Sequence, residues 1–136
     1  MAIQRDYGAG LTDKTNLVVD TFQGNDVIQG DRGNSTINAG RGDDYIQPGL
    51  GKDIVKGGEG IDTVSYANIE HALKARVENG KVTIKFDNPA KINTVMDDKV
   101  SGVEKFIFGK NANIDLEGLA PAVKYSTTDP TRTTNN

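Results

Sequence analysis

The sequence predicts an all-β fold in which a parallel solenoid of very short strands is followed by a small antiparallel β cap. Three observations predict it: a nine-residue period in the first half, one branched aliphatic residue in each period, and alternating apolar and polar residues further on. Only 35% of the residues are hydrophobic and 6% are aromatic. A large apolar core is therefore not expected, and a second source of stability is needed.

Composition excludes several classes of protein. The 136 residues include one histidine and no cysteine, which excludes disulfides, thiolate zinc sites and multi-histidine active sites. No apolar run approaches the roughly 20 residues of a membrane span, and no basic segment followed by an apolar one suggests a cleaved signal peptide. Residues 21–62 hold seven acids and four bases, so the whole net charge of −3 lies there. A local acidic surplus indicates a cation as partner and argues against nucleic acid.

Five nonapeptides in unbroken register fill residues 21–65. The fourth place is always glycine: Gly24, Gly33, Gly42, Gly51 and Gly60. The sixth place holds Asp26, Ser35, Asp44, Asp53 and Asp62. The eighth place holds Ile28, Ile37, Ile46, Val55 and Val64, and Val19 extends this aliphatic series one nonapeptide upstream. A flexible acidic linker does not keep such a register, although a linker and a metal-free solenoid remain the alternatives.

Each nonapeptide is interpreted as a six-residue turn followed by a three-residue strand. Glycine permits the tight turn, and the β-branched eighth residue points inward from the strand. Two nonapeptides then form one coil, so turns 18 residues apart stack on the same side. Asp26, Asp44 and Asp62 share one side, and Ser35 and Asp53 share the other. Stacked carboxylates repel unless a cation lies between them, and carboxylate and carbonyl oxygens are the ligands that Ca²⁺ prefers.

The repeat resembles a known family. GGEGIDTVS at 57–65 fits the nonapeptide GGxGxDxUx of the RTX (haemolysin-type) calcium-binding repeats, and the resemblance extends over residues 19–66. It implies a parallel β-roll, calcium as the bound ion, and export of an unfolded chain by type I secretion to the extracellular space. The DKVSGVEKFIFG segment at 98–109 also resembles the sequence that follows such arrays.

The resemblance implies a ligand set for two ions and leaves a third open. The first site would use the carbonyls of Phe22, Gly24, Ala39 and Arg41 with the carboxylates of Asp26 and Asp44. The second would use the carbonyls of Gly40, Gly42, Gly57 and Glu59 with Asp44 and Asp62. The third would use the carbonyls of Asp31, Gly33, Pro48 and Leu50 with Asp53, where Ser35 replaces an aspartate. Asp44 is shared by the first two sites, so its replacement by alanine is expected to lose more calcium than that of Asp26.

The chain is divided into four parts. We expect an N-terminal cap at 1–20, the calcium-binding roll at 21–66, a β cap at 67–119 and a disordered tail or linker at 120–136. Asn79-Gly80 predicts a type I′ hairpin turn in the cap. Asp97-Asp98 is interpreted as a solvated turn, and the eight basic residues of the cap as a solvated face.

The function expected from the sequence is a non-catalytic, monomeric calcium-binding module of a secreted bacterial protein. One alternative is an anionic-polysaccharide-binding module, because the plan of a roll and a lysine-rich cap is similar to the R-modules of alginate epimerases. Another alternative is an adhesin or biofilm-matrix segment. No nucleophile elbow of the form G-x-S-x-G is present, which argues against a hydrolase.

Overall fold

The computed structural model describes residues 3–5, 18–20, 23–30, 33–69, 71–87, 96–117 and 124–127. This part of the chain contains no helix, so the all-β class is confirmed. It also offers no helix of the length and apolarity that a membrane crossing needs. The strands are β1 (Ile3–Arg5), β2 (Val18–Asp20), β3 (Val27–Gln29), β4 (Thr36–Asn38), β5 (Tyr45–Gln47), β6 (Ile54–Lys56), β7 (Thr63–Ser65), β8 (Leu73–Glu78), β9 (Lys81–Phe86), β10 (Asp97–Ser101), β11 (Lys105–Phe108), β12 (Asn113–Ile114) and β13 (Lys124–Thr127).

Successive nonapeptides contribute strands alternately to two sheets. The six-stranded sheet has the order β1-β3-β5-β7-β11-β13, and the seven-stranded sheet has the order β12-β8-β9-β10-β6-β4-β2. Within the repeats all pairs are parallel, and Ile28 lies opposite Ile46, which lies opposite Val64. Partners are thus 18 residues apart. Two nonapeptides form one coil, and the parallel β-roll is confirmed.

The core of the roll consists of the eighth-place residues. Ile28, Ile37, Ile46, Val55 and Val64 are all 0% exposed. A three-residue strand directs only its middle side chain inward, because successive side chains alternate between the two faces. Each coil therefore buries only two branched aliphatics from its strands, worth about 1.5–3 kcal/mol each. The register of β2 places Val19 opposite Ile37, so the predicted upstream extension is continuous with the repeats.

The cap opens with the predicted hairpin. Strands β8 and β9 pair antiparallel from Leu73 with Phe86 to Glu78 with Lys81. The turn residues Asn79 and Gly80 have φ angles of 53° and 76°. Positive φ at both central residues defines a type I′ turn, whose twist matches that of the strands.

The strands after the hairpin return to the roll and lengthen it. Strand β10 pairs antiparallel with β9 but parallel with β6, where Val100 lies opposite Val55. Strand β11 pairs parallel with β7, where Phe106 lies opposite Val64. Val100 and Phe106 therefore continue the eighth-place series into a further coil. Residues 97–108 add to both sheets of the roll, although the sequence places them in a separate cap.

One segment differs from the expectation. Residues 124–127 lie in the part predicted as a disordered tail or linker, but they form β13 and pair in parallel with β11. The prediction is wrong for these four residues because the edge of β11 satisfies their backbone hydrogen bonds, as at Lys124, whose amide donates to the carbonyl of Glu104 at 2.8 Å. The other domain boundaries stay predictions.

Candidate metal centre

The sixth-place carboxylates of alternate repeats lie one above another. Asp26, Asp44 and Asp62 are 1%, 2% and 0% exposed. The Oδ1 atom of Asp44 accepts a hydrogen bond from the amide of Asp26 at 2.9 Å, and Oδ1 of Asp62 accepts one from the amide of Asp44 at 2.9 Å. The carboxylates of Asp44 and Asp62 are therefore each fixed by the backbone of the turn one coil earlier. We call this series, with Glu104 at its end, the first row.

The second oxygen of two of these carboxylates has no hydrogen-bond partner. Oδ2 of Asp44 and Oδ2 of Asp62 are buried and accept no hydrogen bond. Burial without compensation disfavours the charged form of a carboxyl group. Burial accordingly raises the pKa of Asp44 above its usual value and raises the pKa of Asp62 to about 7. A hard cation beside these oxygens would remove that cost, so the residues present fit Ca²⁺.

Glycines bring carbonyl oxygens close to the same row. A side chain at position 42 would place its Cβ 2.3 Å from the carbonyl oxygen of Gly24. One at position 58 would lie 2.3 Å from that of Gly40, and one at position 60 would lie 2.2 Å from that of Gly42. The carbonyls of three predicted ligands thus face the next turn in the row.

Carboxylates alone do not build the site. Among the described residues, no three histidine, aspartate or glutamate side chains form a metal-binding group. An ion in the first row must therefore take much of its coordination from backbone carbonyls. This donor set is typical of calcium, which takes six to eight oxygen ligands in flexible geometry.

The remaining predicted ligands of the first row lie in the stacked turns at 39–44 and 57–62. Ala39 and Gly57 are buried, and their predicted role uses only the backbone carbonyl. The side chains of Arg41 and Glu59 form an exposed ion pair at 3.3 Å, which contributes little to stability. Phe22 and Asp31 lie outside the described residues, so their predicted carbonyl roles stay predictions.

The opposite side of the roll carries a second row, Ser35, Asp53 and Asp98. Oδ1 of Asp53 accepts from the amide of Ser35 at 2.8 Å, and Oδ1 of Asp98 accepts from the amide of Asp53 at 2.8 Å. A Cβ at position 30 would lie 2.2 Å from the carbonyl oxygen of Pro48. Gly33 and Leu50 lie in turns of this row. The second row thus repeats the hydrogen bonds of the first, with Ser35 in place of one carboxylate.

Asp98 corrects one prediction. The Asp97-Asp98 pair was expected in a solvated turn, but Asp98 is 0% exposed. Its Oδ2 atom accepts a hydrogen bond at 2.9 Å from the hydroxyl of Tyr66, which is also fully buried. Burial raises the pKa of Asp98 to about 7, and burial beside Asp98 raises the pKa of Tyr66. The expectation is wrong because β10 joins the roll and carries Asp98 into the place that Asp53 holds one coil earlier.

Sequence reasoning missed two members of the rows. Asp98 and Glu104 follow the repeats, and Oε1 of Glu104 accepts from the amide of Asp62 at 2.9 Å. The signal was present in Asp98-Lys99-Val100 and Glu104-Lys105-Phe106, which reproduce the acid, variable and apolar residues of places six to eight. It was hidden because the residues before each acid do not reproduce the rest of the nonapeptide.

A ladder of fifth-place side chains was also missed. Oδ1 of Asn25 accepts from the amide of Asp43, and Oδ1 of Asp43 accepts from the amide of Ile61, both at 2.8 Å. On the other side, Oδ1 of Asn34 accepts from the amide of Lys52 at 2.8 Å. These exposed contacts join successive turns without a cation.

Comparison with protein families agrees with the geometry. Residues 20–55 and 47–65 match the RTX calcium-binding nonapeptide repeat, in four copies. This segment is a parallel β-roll of the calcium-binding class, and its repeats are RTX repeats, as the sequence predicted. No curated protein and no solved structure matches the chain. RTX repeats bind calcium and are typical of secreted proteins.

Proposed function

We propose that the chain is a non-catalytic calcium-binding module of a secreted bacterial protein, which folds and rigidifies when extracellular Ca²⁺ occupies the first row. The observation that carries this proposal is the pair of buried oxygens, Oδ2 of Asp44 and Oδ2 of Asp62, that accept no hydrogen bond. Their burial is unfavourable in the absence of a cation. The same atoms become ligands in its presence, so binding and folding are coupled.

The backbone and side chains of the first row have different roles in calcium binding. The backbone amides of Asp26 and Asp44 orient the carboxylates of the following turns, and glycine turns bring carbonyl oxygens toward them. Bound calcium would neutralise the negative charge of the buried carboxylates. Extracellular calcium modules bind in about the 10⁻⁴–10⁻³ M range. Such sites are empty at cytosolic calcium levels and fill outside the cell, which suits type I export of an unfolded chain.

The test is a calcium titration of metal-free protein followed by far-UV circular dichroism. We expect the β signal to increase as Ca²⁺ rises through about 10⁻⁴–10⁻³ M. Mg²⁺ at the same concentrations and NaCl at matched ionic strength are the controls, because Mg²⁺ demands a rigid octahedral shell and retains its waters. An unchanged spectrum at millimolar Ca²⁺, or an equal response to NaCl, would contradict the proposal.

A second candidate function is binding of an anionic polysaccharide by the hairpin of the cap. A shallow cavity of about 200 Å³ is lined by Lys74, Arg76, Glu78, Thr83 and Lys85. Lys74 lies directly opposite Lys85 across the two strands, an unfavourable pairing of like charges that a bound anion would relieve. The guanidinium of Arg76 is held by Asn113, and the buried hydroxyl of Thr83 makes no hydrogen bond. A carboxylated sugar chain offers acceptors for the ammonium groups of Lys74 and Lys85.

Electrophoretic retardation in an alginate gel tests this candidate in the presence of calcium. We expect wild-type protein to be retarded and a Lys74→Gln/Lys85→Gln variant to migrate freely. A Lys105→Gln/Lys110→Gln variant has the same net charge but an intact cavity, and it should be retarded like the wild type. Equal mobility of the two variants would mean that the cavity is not the binding surface.

A further inference from the structure

The first row continues past the last recognised repeat, but with a shorter turn. Lys56 lies opposite Ser101, and Thr63 lies opposite Lys105. The six residues 57–62 are therefore matched in the next coil by only the three residues 102–104. The segment that matches the RTX repeat ends at residue 65, so this turn lies outside the RTX repeats that it follows.

Glu104 occupies the sixth place of this short turn. Its Oε1 accepts from the amide of Asp62 at 2.9 Å, as Oδ1 of Asp62 accepts from the amide of Asp44. The backbone follows the same pattern, since the amides of Glu104 and Lys105 both donate to the carbonyl of Asp62. Glutamate is one methylene longer than aspartate. This extra reach allows the shorter turn to make the same contact.

Two further oxygens converge beside this contact. A side chain at position 57 would place its Cβ 2.3 Å from the carbonyl oxygen of Gly102 and 2.7 Å from Oδ2 of Asp62. Glycine at this position leaves the space between them open. Asp62 is 0% exposed, and its Oδ2 atom accepts no hydrogen bond. A buried carboxylate oxygen therefore points into a space that a backbone carbonyl also faces, next to a second carboxylate.

The second row ends differently. There the last carboxylate is Asp98, and both of its oxygens are bonded, Oδ1 to the amide of Asp53 and Oδ2 to the hydroxyl of Tyr66. The phenol of Tyr66 thus satisfies the second oxygen of this buried carboxylate. The end of the first row has no such hydroxyl at Oδ2 of Asp62, so its charge needs a different partner.

We propose that Asp62, the carbonyl of Gly102 and Glu104 form a further Ca²⁺ site, one rung beyond the RTX repeats. The proposal rests on the calcium-binding function proposed above and adds one ion to those that the repeats hold. Through Gly102 and Glu104 the ion joins the repeats to β11, whose other edge pairs with β13. Calcium then orders strands of the C-terminal part as well as the repeats.

The test compares calcium stoichiometry in wild type, Glu104→Gln and Glu117→Gln by equilibrium dialysis and titration calorimetry. Glutamine keeps the oxygen that accepts from the amide of Asp62 and removes only the charge, so the coil is retained. Glu117 is exposed and lies outside the row, which makes its variant a matched control. We expect Glu104→Gln to bind one ion fewer than wild type, and Glu117→Gln to bind the same number.

The experiment distinguishes failure of this inference from failure of the proposed function. If Glu104→Gln binds as many ions as wild type with the same affinities, this inference is overturned and the proposed function stands. If wild type binds no calcium, the proposed function itself fails. If Glu104→Gln does not reach the wild-type circular dichroism signal in calcium, the variant is misfolded and a second measurement is needed. The amide NMR chemical shifts of Gly102 and Glu104, followed during a calcium titration of wild type, then test the site. Chemical-shift changes that saturate with calcium concentration support the site, and unchanged chemical shifts overturn it.

Discussion

The two rows of the roll use one hydrogen-bonding scheme but treat their charges differently. In both rows, a carboxylate oxygen accepts from the amide of the sixth-place residue one coil earlier, at 2.8–2.9 Å. The first row leaves the second oxygens of Asp44 and Asp62 buried without a hydrogen bond, whereas the second row replaces one carboxylate by Ser35 and bonds another to Tyr66. The backbone scheme thus needs only one oxygen per turn. The rows differ at their ends, where Oδ2 of Asp98 is bonded to a phenol and Oδ2 of Asp62 accepts no hydrogen bond.

The largest effect is expected at the carboxylate that two predicted sites share. Asp44→Asn keeps an oxygen for the amide of Asp26 but removes the charge, so we expect it to lose about twice as many ions as Asp26→Asn. Calcium stoichiometry by equilibrium dialysis measures this. Asp43→Asn is the matched control, because Asp43 is exposed in the same turn and its bond to the amide of Ile61 needs only an amide oxygen. Equal losses at positions 26 and 44 would show that Asp44 is not shared.

The next effect is a pH dependence of metal-free protein. Burial raises the pKa of Asp62 to about 7, above the value near 3.9 of an unfolded aspartate. Between these values the folded state binds more protons than the unfolded state, so stability falls as pH rises from about 4 to about 7 and then levels. We expect a lower urea midpoint at pH 8 than at pH 5 in calcium-free buffer. Saturating calcium should weaken or reverse this trend, because the cation stabilises the ionised form.

Asp62→Asn provides the control for this pH dependence. The amide cannot titrate but still accepts from the amide of Asp44, so the difference between pH 5 and pH 8 should shrink. A wild-type midpoint that rises with pH in the absence of calcium would contradict the role assigned to these buried carboxylates.

The repeats were predictable because local residues determine them. A glycine at the fourth place and a branched aliphatic at the eighth specify turn and strand without distant contacts, and Val64 and Ile46 are buried as their place requires. The pairing of β10 with β6 depends instead on a chain that leaves the roll, forms a hairpin and returns. The local pattern that returns at 98–100 and 104–106 covers only three of the nine places, which is too little to specify that return. Asp98 was therefore assigned to solvent although it is fully buried.

In the candidate metal centre, likewise, the residues within the repeats were predictable and those after the repeats were not. The spacing of 18 residues is enough to place Asp26, Asp44 and Asp62 in one row. It could not show that Glu104 follows them, because the turn at 102–104 is half as long as the repeat predicts. Nor could it show that Tyr66 reaches across the core to Asp98, which depends on the packing of the last coil.

A smaller effect is expected from the hydroxyl that closes the second row. Tyr66→Phe leaves Oδ2 of the buried Asp98 without its hydrogen bond, which costs about 1–3 kcal/mol in unfolding free energy. Because this row end uses a protein group, the loss should be similar with and without calcium. Urea unfolding under both conditions measures it. Tyr45→Phe, at a partly exposed outward position, should change stability by less than about 0.5 kcal/mol. A Tyr66→Phe loss that disappears in calcium would mean that an ion can replace the phenol.

The smallest effect tests whether the second row can be converted into the first. Ser35 is buried at the place where a second carboxylate would complete a pair with Asp53. We expect Ser35→Asp to tighten calcium binding in this row about tenfold, which corresponds to about 1.4 kcal/mol. The same variant should be less stable than wild type without calcium, since it buries an added charge. Ser35→Asn introduces a side chain of nearly the same shape as aspartate but without charge. It should therefore neither tighten calcium binding nor lower stability in the absence of calcium. If both variants bind calcium alike, then the arrangement of carbonyls, and not the number of carboxylates, separates the two rows.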